Sequence, residues 1–303
     1  MKFRKSSMLA TTAAVGAAAA LMLSTAAVAA PLWPGGPDVP GAPAVQLPAV
    51  PGIPGLKPAP PAKPNFSAPR VTPSEGAVVG VAQPVIINFN EPVTDHATAE
   101  KFIKITTAPK IDGAFHWFSD RQVRWRPQNL WPANTKITVD AGDTHNTFST
   151  GDAVVTTADD ATHMMTITRN GQVIKTMPTS MGKPGHETPN GIYTLADRYA
   201  DMTMDSSTYG VPVDSPQGYR IDVKYATRMS NDGIFVHGAP WSVWAQGNTD
   251  TSHGCLNVSI PNAQWFYENT RTGDPVIVKN STGERHGLDG LTDFSMPWNQ
   301  WAD

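Results

Sequence analysis

The sequence predicts a mostly β protein of two successive folded domains with one short helix, and three observations carry that prediction. From about residue 66 onward, short runs of β-branched and aromatic residues recur between Gly, Pro, Asn and Asp punctuation, which is the rhythm of strands and turns. Asn170-Gly171 separates two such runs and is the strongest short hairpin signal a sequence offers. Only 261–269 reads as a helix, with Pro261 in its first turn and Gly273 beyond its end. Setting aside the first 65 of the 303 residues leaves 303 − 65 = 238, which suits one small and one average domain at about 100–200 residues each.

Taken in order, residues 1–30 read as an export signal. Lys2, Arg4 and Lys5 form a positive start, an Ala/Leu-rich run covers 9–28, and Ala27-Val28-Ala29 fits a small-residue cleavage site. The expected location is therefore exported, in the periplasm or cell wall, with membrane contact only through the signal if it stays uncleaved. Residues 31–65 hold twelve of the 28 prolines and almost no charge. They are expected to be a semi-extended linker with a reach on the order of 100 Å at about 3.1 Å per residue. The runs at 85–89, 102–105, 114–118, 122–126 and 136–139 predict an immunoglobulin-like β-sandwich over 66–150. Trp117 and Trp125 within it are expected to be core and not a carbohydrate platform. A second domain over 151–279 opens with the 164–169/172–176 hairpin. It continues with strands at 191–195, 219–224 and 234–237, the helix, and a strand at 274–279 whose Pro275 is tolerated only at the start. The tail over 280–303, with Phe294, Trp298 and Trp301, is expected to pack on that domain. A net charge of −3 with no basic block argues against nucleic acid as a partner.

The chain has one cysteine, Cys255, in the run Ser252-His253-Gly254-Cys255-Leu256-Asn257. A lone thiol forms no internal disulfide, so it is either a reactive group or a small buried hydrophobe. His237 ends the apolar run Ile234-Phe235-Val236-His237, where a strand meets a loop. An imidazole takes a thiol proton near neutral pH and stabilises the resulting anion. Gly254 beside the nucleophile leaves room for approach and for backbone N–H groups that hold an oxyanion. A zinc site built from His237, His253 and Cys255 is the competing chemistry. It is disfavoured by the two ligands only two residues apart and by the lack of a fourth ligand.

His237-Gly238-Ala239-Pro240-Trp241, followed by a polar loop and Ser252-His253-Gly254-Cys255-Leu256-Asn257, resembles the active-site signature of the bacterial L,D-transpeptidases, in particular the mycobacterial type. The resemblance extends upstream through Met204-Asp205-Ser206-Ser207-Thr208-Tyr209-Gly210 and Gly218-Tyr219, similar to a substrate-covering lid. It covers about residues 66–303. It implies a YkuD-like catalytic domain behind the immunoglobulin-like one. It also implies Cys255 as nucleophile, His237 as base oriented by the carbonyl of Gly238, and the N–H groups of Gly254 and Cys255 as oxyanion hole. His253, Ser252 and Asn257 would flank the site, and Met204, Tyr209, Tyr219 and Trp241 would line the pocket under the lid. No cofactor or metal is implied. The implied partners are donor and acceptor tetrapeptide stems of peptidoglycan, joined in 3→3 cross-links through a thioester with loss of D-alanine, and carbapenem β-lactams as covalent inhibitors. Two rivals stand beside this reading: an L,D-carboxypeptidase of the same fold, in which water resolves the thioester, and a non-catalytic wall-binding protein in which Cys255 is incidental.

Overall fold

The computed structural model describes residues 62–284 and 287–303, with Tyr209 described by its backbone alone. The expected export signal and all but the last residues of the expected linker lie outside the described residues.

The first half is a sandwich of two four-stranded sheets. Its elements are β1 (Arg70–Thr72), β2 (Val78–Val79), β3 (Val85–Asn88), α1 (His96–Glu100), β4 (Ile103–Ala108), β5 (Gly113–Ser119), β6 (Gln122–Pro127), β7 (Lys136–Ala141) and β8 (Thr144–Thr150). The sheets run β1-β3-β6-β5 and β2-β8-β7-β4. Alternation along each strand sends Val85, Ile87, Val123, Ile137, Val139 and Phe148 into one shared core. Each such side chain contributes about 1.5–3 kcal/mol by leaving water. Trp125 is buried against Trp131, ring centroids 5.4 Å apart. Trp117 is half-buried, stacked on His96 and Phe89, with its Nε1–H donated to Glu100 Oε1 at 2.7 Å.

The second half holds β9 (Val154–Asp159), β10 (Met164–Arg169), β11 (Gln172–Pro178), β12 (Gly191–Thr194), β13 (Arg198–Asp205), β14 (Arg220–Arg228), β15 (Phe235–Gly238), β16 (Leu256–Val258), α2 (Ile260–Asn269) and β17 (Pro275–Lys279), and α3 (Trp298–Trp301) follows in the tail. One sheet runs β11-β10-β9-β17-β12 and the other β13-β14-β15-β16. The hairpin turn has Asn170 at φ 50° and Gly171 at φ 82°, the two left-handed residues that such a turn requires. Ser259 caps α2 through its Oγ, and Ala263 and Phe266 bury the helix in the domain core. Helix content exceeds the single helix expected, because α1 and α3 are short turns fixed by tertiary contacts. Strands β1, β2 and β16, of two or three residues, and the polar-alternating β8, β9 and β13 were not anticipated, since short or polar runs give a weak apolar signal.

The tail packs on the second half, where it was expected, and also grips the first. On the side of the second half, Ser295 Oγ accepts from Ile192 N–H at 2.7 Å and Leu291 O accepts from Thr194 N–H at 2.7 Å. On the sandwich side, Arg124 Nη1 donates to both oxygens of buried Asp293 at 2.9 Å and to Gly290 O at 2.8 Å. The guanidinium of Arg126 lies 4.9, 5.4 and 4.4 Å from the ring centroids of Phe294, Trp298 and Trp301, and Trp301 Nε1–H reaches Ala114 O at 3.0 Å. Sequence spacing revealed three aromatics ready to dock, but not the two arginines at alternate positions of β6 that receive them. A second seam joins Gly80 N–H to Thr272 O at 2.9 Å and Ala82 N–H to Gly273 O at 2.8 Å.

Candidate active site

Strand register decides which residues meet. β15 and β16 run parallel with Val236 opposite Leu256 and His237 opposite Asn257. Side chains alternate between sheet faces, so Val236, Leu256 and Val258 enter the main core while His237, Cys255 and Asn257 share the other face. On that same face β13 and β14 bring Met204 opposite Ile221, and Met204, Val223 and Phe235 cluster with Cys255. The β13–β14 hairpin thus forms the roof of a cavity of about 200 Å³ in which His237, Cys255, Tyr219 and Trp241 meet.

The roof is tied at its base. Ser206 N–H donates to Tyr219 O, and Tyr219 N–H to Ser206 Oγ, each at 2.9 Å. Gly218 allows the chain to fold back there, since a Cβ would stand 2.0 Å from Pro212 O.

His237 donates Nδ1–H to the Gly238 carbonyl at 3.1 Å, because a carbonyl only accepts. That bond fixes the tautomer and leaves the Nε2 lone pair for a thiol proton. Burial pulls the imidazole down to about 4, with the Gly238 bond opposing it. Burial also pushes the Cys255 thiol up to about 11, opposed by a hydrogen bond from the Phe235 backbone. The thiol rests against Gly233 O at 3.7 Å. Sequence reasoning expected a thiolate stabilised by its imidazole; desolvation of both groups gives instead a neutral resting pair. The proton therefore crosses to Nε2 as sulfur attacks.

The nucleophile loop is held from below. Ser252 Oγ donates to Cys255 O at 2.7 Å and accepts from Gly254 N–H at 3.0 Å. Ser252 Oγ thus engages the Gly254 N–H, one of the two donors expected to hold an oxyanion. Gly254 has φ +118°, while a Cβ there would meet nothing nearer than 3.8 Å. Its positive φ is a backbone conformation that favours glycine. Thr188 Oγ1 donates to Gly254 O at 2.8 Å and accepts from Gly182 N–H at 3.0 Å, a buried support that no motif announced.

Of the other sequence-predicted residues, Met204, Tyr219, Trp241, Ser252, His253 and Asn257 line the cavity, joined by the unanticipated Ile221 and Thr251. Ile221 was recoverable, being two residues along the same strand face from Tyr219. Asn257 is buried, donates Nδ2–H to Ser242 Oγ at 3.2 Å, and has no partner for Oδ1 among the described residues. His253 is exposed, with Nε2 3.2 Å from Lys183 Nζ. Tyr209 ends the 3-10 turn Ser206–Tyr209 in the roof, and its side chain lies outside the description. Among the described residues the donors that converge within 4.8 Å as a possible cation group are Asp160, His163 and Asp250, a set without Cys255 or His237.

A sandwich followed by a β-rich domain that brings a thiol and an imidazole to one hairpin-roofed cavity on a sheet face defines a two-domain architecture, an immunoglobulin-like module ahead of a domain with a candidate thiol–imidazole site. The family model of a bacterial Ig domain matches residues 61–145, and that of the L,D-transpeptidase catalytic domain, YkuD, matches residues 153–278. The chain is 52% identical over 254 residues to L,D-transpeptidase 2 of Mycobacterium tuberculosis, covering 78% of this chain and 62% of that protein. It is 42% identical over 208 residues to L,D-transpeptidase 1 of the same species, covering 69% and 83% respectively. The solved structure of the LD transpeptidase LdtMt1 in complex with imipenem matches with a TM-score of 0.67 and 41% identity, over 72% of this chain and 100% of that one. The chain belongs to the L,D-transpeptidase family.

Proposed function

We propose that this protein is an exported peptidoglycan L,D-transpeptidase that forms 3→3 cross-links between diaminopimelate residues. The observation that carries the reading is the fixed His237 tautomer, with its Nε2 lone pair left in the cavity that holds the Cys255 thiol. The thiol proton passes to His237 Nε2 while Sγ bonds to the carbonyl carbon of the third residue of a donor tetrapeptide stem. Negative charge on the carbonyl oxygen is met by the Cys255 N–H. The carbon–nitrogen bond then breaks, the imidazolium proton goes to the departing amine, and D-alanine leaves. The side-chain amine of an acceptor stem attacks the thioester, passes its proton to His237, and displaces sulfur, which regains that proton. Bond energy is conserved in the thioester, so no nucleotide is required. The unpartnered Asn257 Oδ1 offers an acceptor to a substrate N–H. A strained β-lactam carbonyl presents the same electrophile, and the imipenem complex of a relative supports carbapenems as covalent inhibitors.

Intact-mass measurement tests the reading. Incubation with a tetrapeptide stem should add one tripeptide acyl group to the protein and release one D-alanine, and a carbapenem should add its own mass. Cys255→Ala should show neither adduct. Adducts equal in both proteins, or none in the wild type, would remove the assignment.

A further inference from the structure

The rim of the cavity carries positive charge that the thiol–imidazole chemistry does not use. Lys183 N–H donates to Ser252 O at 3.0 Å, and Gly182 pairs with Ser252 as a β-bridge. With Thr188 holding Gly254 O, the 182–188 segment is clipped to the nucleophile loop at two points. This delivers the Lys183 ammonium to His253 Nε2 at 3.2 Å. An ammonium only donates, so Nε2 accepts and the ring hydrogen sits on Nδ1. The His186 ring stands against the same imidazole, centroids 4.7 Å apart, and Tyr219 lies 5.6 Å away on the cavity side.

Lys183 forms no ion pair with any carboxylate of the described residues. Glu187, the nearest acid along the chain, turns Oε1 to the Gly185 N–H at 3.0 Å. Burial first, and then the charges of Lys183 and His186, lower the proton affinity of the His253 ring, and an anion would relieve the charge repulsion. His253 lines the cavity with Cys255, and the reacting pair is itself uncharged at rest. A cation fixed at the mouth of such a cavity selects an anionic group close to the reacting bond.

We propose that Lys183 and His253 form a carboxylate subsite that receives the free C-terminal carboxylate of the donor stem, one residue beyond the bond that Cys255 attacks. The proposal rests on the substrate reading above. On binding, Lys183 Nζ turns from the ring to one carboxylate oxygen, and the imidazole, protonated at the freed Nε2, donates to the other, a charge-assisted pair that positions the leaving residue. Lys183 acts on binding and orientation, and it takes no proton from the thiol.

Two tetrapeptide stems test it, one ending in the free carboxylate and one in the carboxamide, with acylation of Cys255 followed by mass. Wild type should favour the carboxylate in kcat/KM by about 10- to 100-fold, the worth of one charged hydrogen bond. Lys183→Gln should collapse that ratio toward one, and Lys183→Arg should keep most of it. In Cys255→Ala, which binds without reacting, the carboxylate peptide should raise the titration point of the His253 ring by NMR while the carboxamide leaves it in place. An unchanged ratio in Lys183→Gln, or a His253 titration blind to the carboxylate peptide, overturns the subsite. Equal acylation by both peptides in the wild type does the same and leaves the transpeptidase reading standing. Failure of both peptides to acylate wild type overturns both.

Discussion

At the residue scale the decisive quantity is the proton balance between Cys255 and His237. A free thiol reacts through the fraction ionised, so its rate climbs about tenfold per pH unit below its ordinary value near 8.5. A buried neutral pair behaves otherwise. Burial keeps both groups neutral between the imidazole's titration near 4 and the thiol's near 11. Carbapenem acylation of Cys255, followed by mass, should therefore be flat from about pH 6 to pH 9. A rise centred on the free-thiol value would show that the thiol ionises alone. His237→Ala should slow the same acylation by about 10²–10⁴-fold with a much smaller change in substrate binding. An unchanged rate would assign the base elsewhere, and the Lys183 contact on Nε2 makes His253 a poor substitute.

At the element scale the roof hairpin governs access. In Gly218→Ala the new methyl would lie 2.0 Å from Pro212 O and 2.5 Å from Val213 O, both rigid main chain, so the turn must shift and carry Tyr219 with it. Acylation by a stem peptide should fall about ten- to a hundredfold, the usual consequence of a misplacement on the order of 1 Å. Alkylation of Cys255 by a small neutral iodoacetamide should be as fast as in wild type or faster. Two unaltered rates would mean that the hairpin does not position substrate. The hairpin also marks what the sequence made legible. Met204, Tyr219 and Asn257 were expected in the cavity through the family resemblance alone, whereas His237 and Cys255 also stood out by themselves, one at the end of an apolar strand run and the other in the Ser-His-Gly-Cys cluster. β13 itself was missed, since Arg198–Asp205 alternates polar groups with Tyr199 and two methionines and depends on β14 for its pairing. Thr188 and Lys183 were equally invisible. They reach the nucleophile loop across some 70 positions of sequence separation, and no local periodicity encodes a contact of that range.

At the scale of the whole molecule, the tail makes the sandwich and the catalytic half answer to one another. Arg124 and Asp293 are both nearly withdrawn from solvent, with side-chain exposures of 9% and 1%. Removing one partner leaves the other charge buried and unpaired. Asp293→Ala should therefore cost about 3–5 kcal/mol, whereas replacing both groups together by Met and Leu should recover much of the loss. Calorimetry of the single variant should show a lower Tm and separate transitions for the two halves. One transition at the wild-type temperature would show that the tail is not what couples them.

The order in which the chain is made gives the tail a further meaning. The sandwich precedes the catalytic half in the sequence, and domains fold as units from the N-terminal side as they emerge. Arg124 and Arg126 thus stand on a finished surface, without Asp293 or the aromatic cover of Phe294, Trp298 and Trp301, until the last of these residues has been synthesised and docked. A chain halted before residue 293 would keep the sandwich's own contacts to these arginines, from Gln122, Pro127 and Gln128, but neither the buried carboxylate nor the aromatic cover, so the seam closes last of all.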